Sequence, residues 1–204
     1  MANAPVNSIH YADKLGLSKV LNGLGSILPP PQVNITYFCI GSDLSTGDCF
    51  GPLTGTLLKN LGFQNVIGTL DSTVHAKNLE EKLSLVPEGN HILAVDATMG
   101  HYQDIGRMHF INGPIHPGSA FKRDLPPVGQ SSVIFNVAPL GFANFLTLGC
   151  ASMNKVWLGA NLLTRAICLL TYRRKKALLE YREQLEQNRP SGDRNPEFRS
   201  QNSG

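Results

Sequence analysis

No apolar run in this chain is long enough to cross a bilayer. Residues 142–172 are rich in apolar groups and contain no acid, but Lys155 and Arg165 interrupt them. The piece between falls well short of the roughly 20 residues a spanning helix needs, so a packed core helix is expected there. Charge is sparse as well. Charged residues make up 16% of the chain, and the net charge of +3 gathers much of its excess near the C-terminus. That balance argues against a nucleic-acid-binding body. The four cysteines, Cys39, Cys49, Cys150 and Cys168, form no C-x-x-C pair and no zinc spacing, which points to reduced thiols in a cytosolic setting. The chain does not open with a basic region, an apolar run and a cleavage site, so a signal peptide is not expected. Neither Gly-Lys-Ser/Thr nor G-x-G-x-x-G occurs, which sets aside the usual nucleotide-binding loops.

What is present suits one globular domain. The 204 residues are 42% apolar, enough for a sizeable core. Residues 9–28 carry Leu15, Leu17, Val20, Leu21, Leu24, Ile27 and Leu28 at helical spacing, and Pro29-Pro30-Pro31 then acts as a stiff stop. Residues 34–40 are almost continuously apolar, as in a central parallel strand covered on both faces. Residues 49–61 read as a crossover helix, 66–70 as a second strand, 74–85 as a second helix and 91–96 as a third strand. This βαβαβ order favours a parallel sheet with right-handed crossovers. Residues 107–112 and 132–137 read as further strands, separated by a long Pro/Gly loop over 113–129. From 142 to 187 the pattern is helical, with a break near Gly149 or Gly159. Its end carries Arg173-Arg174-Lys175-Lys176 and then Glu180, Glu183 and Glu186, read as a solvated extension or, alternatively, a basic interaction surface. The expected organisation is an N-terminal helical segment and proline linker over 1–33, an α/β domain over 34–187 ending in a long helix, and a disordered tail over 188–204.

The stretch with the most chemistry is Gly41-Ser42-Asp43-Leu44-Ser45-Thr46-Gly47-Asp48. It lies between an expected strand and an expected helix, where ligands gather in open α/β sheets. A glycine-rich loop before a helix suggests phosphate, but two acids occupy the place an anion would take. Asp96 closes the third strand. If the first and third strands are neighbours, Asp48 and Asp96 face one cleft. There they could share a proton and activate water, or hold a divalent metal with a histidine. The plainer reading makes Asp48 a helix cap and Asp96 a turn residue. Cys49, beside Asp48, is a poor nucleophile because that acid opposes its thiolate. Among the six histidines, His75 and His101 fall near the same sheet edge, while strand alternation accounts for His91 and His109.

The ordered motifs resemble a known family. They are Ile40-Gly41-Ser42-Asp43-Leu44-Ser45-Thr46-Gly47-Asp48 with Gly51-Pro52-Leu53, then Gly68-Thr69-Leu70-Asp71 with Val74-His75-Ala76-Lys77-Asn78-Leu79. Val95-Asp96-Ala97, Pro117-Gly118-Ser119-Ala120, and Lys122 with Leu125-Pro126-Pro127-Val128-Gly129 follow. This series, over residues 35–137, resembles the YyaC family of sporulation proteases. That family is related to the spore germination protease and more distantly to the maturation endopeptidases of nickel hydrogenases. The resemblance implies a three-layer α/β/α fold of the phosphorylase/hydrolase-like kind, with a mostly parallel central sheet. It also implies a peptidase in which Asp48 and Asp96 are the catalytic pair. Gly41, Ser42, Asp43, Thr46 and Gly47 would shape the site, with His75 and Asn136 as neighbours. No cofactor is expected; the alternative is a non-catalytic sporulation factor holding a peptide or a divalent metal such as nickel or zinc in the same cleft. Expected partners are a peptide or protein substrate, for instance small acid-soluble spore proteins, and further copies of the chain, with neither nucleic acid nor membrane. The expected location is the cytoplasm of the forespore or mother cell of a spore-forming bacterium. The chain departs from the family pattern at Asn144, where an acid is expected, and in its basic C-terminal extension.

Overall fold

The computed structural model describes residues 5–117, 125–141 and 144–187. Its centre is one six-stranded sheet made of β1 (Asn7–His10), β2 (Ile35–Cys39), β3 (Val66–Ile67), β4 (His91–Gly100), β5 (Arg107–Ile111) and β6 (Ser131–Pro139). The strand order is β1-β5-β6-β4-β2-β3. The β3, β2, β4 and β6 strands are mutually parallel, and β5 runs antiparallel to both β6 and β1. The fold is therefore α/β with a mixed, mostly parallel sheet flanked by helices.

Two cores lie on opposite sides of the sheet. On one side α1 (Gly16–Ile27), α2 (Phe50–Asn60), α4 (Asn144–Gly149) and α5 (Met153–Gln187) cover Tyr37, Cys39, Leu93, Val95, Val133 and Phe135. The other side is thinner. There α3 (Leu79–Leu83) and segments around Ile115 and Val128 cover Phe38, Ile40 and Ala94. The near-continuous apolar character of β2 follows, since alternate residues enter different cores. The two crossovers from β2 to β3 and from β3 to β4 leave helices on opposite sides, as right-handed connections running in opposite directions across a sheet require.

Several elements differ in extent from their expected lengths, each for a local reason. Residues 9–28 are not one helix: β1 pairs with β5, and Asp13 then accepts the Leu15 N–H at 2.8 Å. That side-chain turn ends the strand and sets up α1. The second helix is confined to Leu79–Leu83 because Asn78 holds the preceding turn. Its Oδ1 accepts the His75 N–H at 2.9 Å and its Nδ2 donates to the Thr73 carbonyl at 3.0 Å, an alternative to helical bonding. β3 stops at Ile67 where Gly68 turns to φ +92°. The long helical stretch breaks after Gly149, whereas Gly159 lies inside α5, where an added Cβ would come within 2.7 Å of the Phe135 ring. The strand ending in Asp96 continues to Gly100, because β4 and β6 stay paired well past it.

Two contacts fasten α5 to the body. The Tyr37 hydroxyl meets Thr171 Oγ1 at 3.2 Å. The Arg174 guanidinium donates to the carbonyls of Pro29, Pro30 and Val33, so one residue of the basic run braces the proline segment. Beyond it, Lys175 to Lys176 and Leu179 to Leu185 are exposed. Among the described residues no helix is long and apolar enough to cross a membrane.

Candidate active site

The strand order decides where chemistry gathers. From β2 the chain moves outward to β3, then returns past β2 to β4 on its other side. Strand order reverses between β2 and β4, and the crevice beyond the carboxyl ends of such a pair is the usual ligand site of open α/β sheets. The loop after β2 and residue Asp96 of β4 both lie there. Cys39 is level with Val95, and the Ile40 N–H donates to the Val95 carbonyl at 2.8 Å.

Close backbone packing folds the loop back over this edge. Gly41 has φ +140° and donates its N–H to the Val74 carbonyl at 2.8 Å. A Cβ there would lie 2.0 Å from the Asp48 carbonyl oxygen, so only glycine lets the two ends of the loop meet. Gly47 donates to the Leu148 carbonyl at 3.0 Å, and a Cβ on it would strike Leu148 and Val137. Ser42 Oγ accepts the Leu44 N–H at 3.2 Å. The Thr46 carbonyl accepts the Cys49 thiol at 3.0 Å. Asp43 is exposed.

Asp48 does not cap α2. The residue preceding the helix is Cys49, with no side-chain cap bond, and the Asp48 carboxyl instead takes the Ser42 N–H. Burial pushes this carboxyl above the usual carboxylate range, while the Ser42 N–H and the nearby His75 partly offset the shift. Asp96 is not a turn residue, since it lies inside β4. Although some of its surface is exposed, protein surrounds its carboxyl and raises it well above the ordinary range. The negative charge of Asp48 raises it further, against the opposing bond from the Ala97 N–H at 2.8 Å. The two acids therefore sense each other. Cys49 is held as a thiol, first by burial and then by the charge of Asp48.

His75 is half-buried, and its ring nitrogen Nδ1 accepts the Lys77 N–H at 3.3 Å. His101 and His116 are exposed. Asn136 sits on β6 level with Thr98 and two residues along from Ile134, the partner of Asp96. This places Asn136 on the Asp96 side of the sheet. It is 2% exposed, and its Oδ1 has no hydrogen-bond partner. Ser45 Oγ in the loop is likewise buried without one. Gly118 to Asp124 of the long loop, part of the motif series, lie outside the described residues.

The metal alternative fits this donor set poorly. No group of three or more His, Cys, Asp or Glu among the described residues is arranged to hold an ion.

An α/β sheet carrying two acids at its switch point is thus the class of protein the geometry defines. The chain matches, over residues 8–166, the model of a family described as a protein of unknown function, DUF1256, and it belongs to that family. It is 35% identical over 140 residues to the uncharacterized protein YyaC of Bacillus subtilis strain 168, spanning 66% of this chain and 68% of that one. The NiFe hydrogenase maturation protease HycI from Thermococcus kodakarensis KOD1 is similar in structure over 69% of this chain and 93% of that one, at 18% identity and a TM-score of 0.47.

Proposed function

We propose that the protein is a sporulation-associated peptidase in which Asp48 and Asp96 share one proton and activate water. The observation that carries this reading is the adjacency of parallel β2 and β4, which brings the loop bearing Asp48 and the strand bearing Asp96 to one switch point, where burial shifts both carboxyls toward the protonated form. Like charges at such a site cannot both ionise cheaply, so one proton is retained by the pair.

The roles follow from the surroundings. Asp96, whose carboxyl is the more enclosed by protein, is taken as the acid that holds the proton. Asp48 has the Ser42 N–H and His75 to support its charge, so it is the base. Water loses a proton to Asp48 as its oxygen bonds to the peptide carbonyl carbon, and Asp96 gives its proton to the carbonyl oxygen. The tetrahedral adduct then collapses. The C–N bond breaks, the departing nitrogen takes the proton from Asp48, and Asp96 recovers its own from the adduct's hydroxyl. Cleavage is expected to peak where the pair holds a single proton and to fall on either side.

The sporulation setting, a cytoplasmic location in forespore or mother cell, and small acid-soluble spore proteins as substrates are supported by the motif resemblance alone. The test is incubation of the purified protein with small acid-soluble spore proteins and with unstructured peptides, followed by mass spectrometry. Discrete fragments are expected from the native chain, with loss of about 10²–10⁴-fold in Asp48→Asn and in Asp96→Asn while circular dichroism stays unchanged. Undiminished cleavage by either variant would sink the dyad.

A further inference from the structure

The fold sorts the protein's charges by face. No aspartate or glutamate lies in α1, α2, α4 or the part of α5 before Glu180. The charged residues these helices do hold are all lysines and arginines. The acids lie elsewhere. Asp43, Asp71 and Asp104 occupy connections at the carboxyl edge, and Glu80 and Glu81 are on α3, across the sheet. The small net charge of +3 hides this cationic layer, because the compensating acids face other directions. Lys19 meets Asp13 just before α1, Lys176 meets Glu180 at the far end, and Arg174 is taken by the proline segment. Arg165, Arg173 and Lys175 make no ion pair among the described residues.

The outward side of the same layer is apolar. Val156, Ala160, Leu163 and Ile167 of α5 are buried in the core on the sheet. Leu158, Leu162, Arg165, Leu169 and Tyr172 recur every three or four residues about half a turn from that stripe, so they share the opposite side of the helix. There Leu158 is 43% exposed and Tyr172 66%, with Trp157 at the edge 45% exposed. Leu15, also exposed, extends the patch onto the start of α1, where the neighbouring Gly16 lies against the Leu162 side chain. A helix that is apolar on both sides is normally covered on both, and contiguous exposed apolar surface marks an interaction site.

We propose that the outward side of α5, with the start of α1, lies on an anionic lipid surface. Leucine and aromatic side chains set among arginines and lysines are the composition of helices that rest in the headgroup region, with the apolar groups inserted and the cations at the phosphates. Duplex DNA would match the cations but leave the apolar side chains in water. A second copy would bring the same cations against these, and like charges repel. No helix among the described residues is able to cross a bilayer, so the contact is peripheral. With α5 flat on the surface, the sheet beneath it lies parallel to the lipid, and the carboxyl edge bearing Asp48 and Asp96 stays open at the side. The proposal stands apart from the peptidase reading.

Trp157 is the single tryptophan of the chain, so its fluorescence reports on this face alone. Phosphatidylcholine vesicles containing phosphatidylserine are expected to shift its emission to the blue and to carry the protein into the pellet on sedimentation. Pure phosphatidylcholine vesicles are expected to do neither. Arg165→Gln, Arg173→Gln and Lys175→Gln together are expected to weaken binding about a hundredfold. All three side chains are exposed, so circular dichroism should not change. Leu158→Ser with Tyr172→Ser is expected to weaken binding about tenfold while every cation is kept. No blue shift on the anionic vesicles would overturn the proposal, and so would equal binding to the neutral ones. Tighter binding to polyglutamate or to duplex DNA than to anionic vesicles would also overturn it, and would give the face to an acidic protein or to nucleic acid instead.

Discussion

The two ends of β4 carry polar side chains under opposite conditions. At its start His91 meets Ser131 Oγ at 2.8 Å, Asn90 donates to Thr36 Oγ1 at 3.0 Å, and Gln130 accepts the Ile92 N–H at 2.7 Å. Every one of these groups has a partner, and the cluster ties three neighbouring strands together. Towards its far end Asp96 faces a like charge, and Asn136 Oδ1 and Ser45 Oγ lie buried without partners. Buried polar groups are normally satisfied. A site that leaves them unsatisfied and crowds two acids together gives up stability, as functional sites commonly do, whereas the opposite edge satisfies its polar groups.

Four experiments would sharpen or break that contrast. The largest effect is expected from Asp48→Asn and Asp96→Asn, each removing cleavage by the factor given above with little loss of fold. Gly41→Ala should come next. Its φ and the approach of the Asp48 carbonyl predict a loss of about 1–3 kcal/mol from backbone strain, read as a lower denaturation midpoint. A midpoint equal to that of the native chain would show that the loop is not closed over the site.

The third test uses pH. Folded Asp96 holds its proton more tightly than the unfolded chain does. Between the ordinary carboxylate range and the raised folded range, the native state therefore binds more protons, and stability falls as pH rises through that interval. Asp96→Asn should melt higher than the native chain at neutral pH, and the difference should shrink on acidification. A difference independent of pH would mean that Asp96 is not frustrated. The smallest effect belongs to the other end of β4. Ser131→Ala leaves the His91 ring without its partner and should cost about 1 kcal/mol, with cleavage unchanged. Lost cleavage there would blur the division between the two edges.

Much of this was legible in the residues. The apolar runs of β2, β4 and β6 have few other readings, and the acids of the loop and of β4 mark themselves by their positions after apolar runs. Less legible was the N-terminal segment, where helical spacing over 9–28 concealed β1. An edge strand of four residues has too short a period to register, and its pairing with β5 is a long-range contact. The short α3 was overestimated because the Asn78 turn competes with helix through side-chain bonds that spacing does not reveal. Leu148 had no sequence signal at all; it becomes a neighbour of Gly47 only when α4 folds back onto the end of β6.

The sequence by itself determined the α/β class, the loop and the two acids, because alternation, run length and turn residues are local properties of a chain. Only the tertiary structure decided that β2 and β4 are adjacent, with β3 sent to the edge. Strand order depends on which faces the crossover helices cover and on contacts between residues far apart in the chain. It is that adjacency that places Asp48 within electrostatic reach of Asp96, where its charge raises the Asp96 carboxyl.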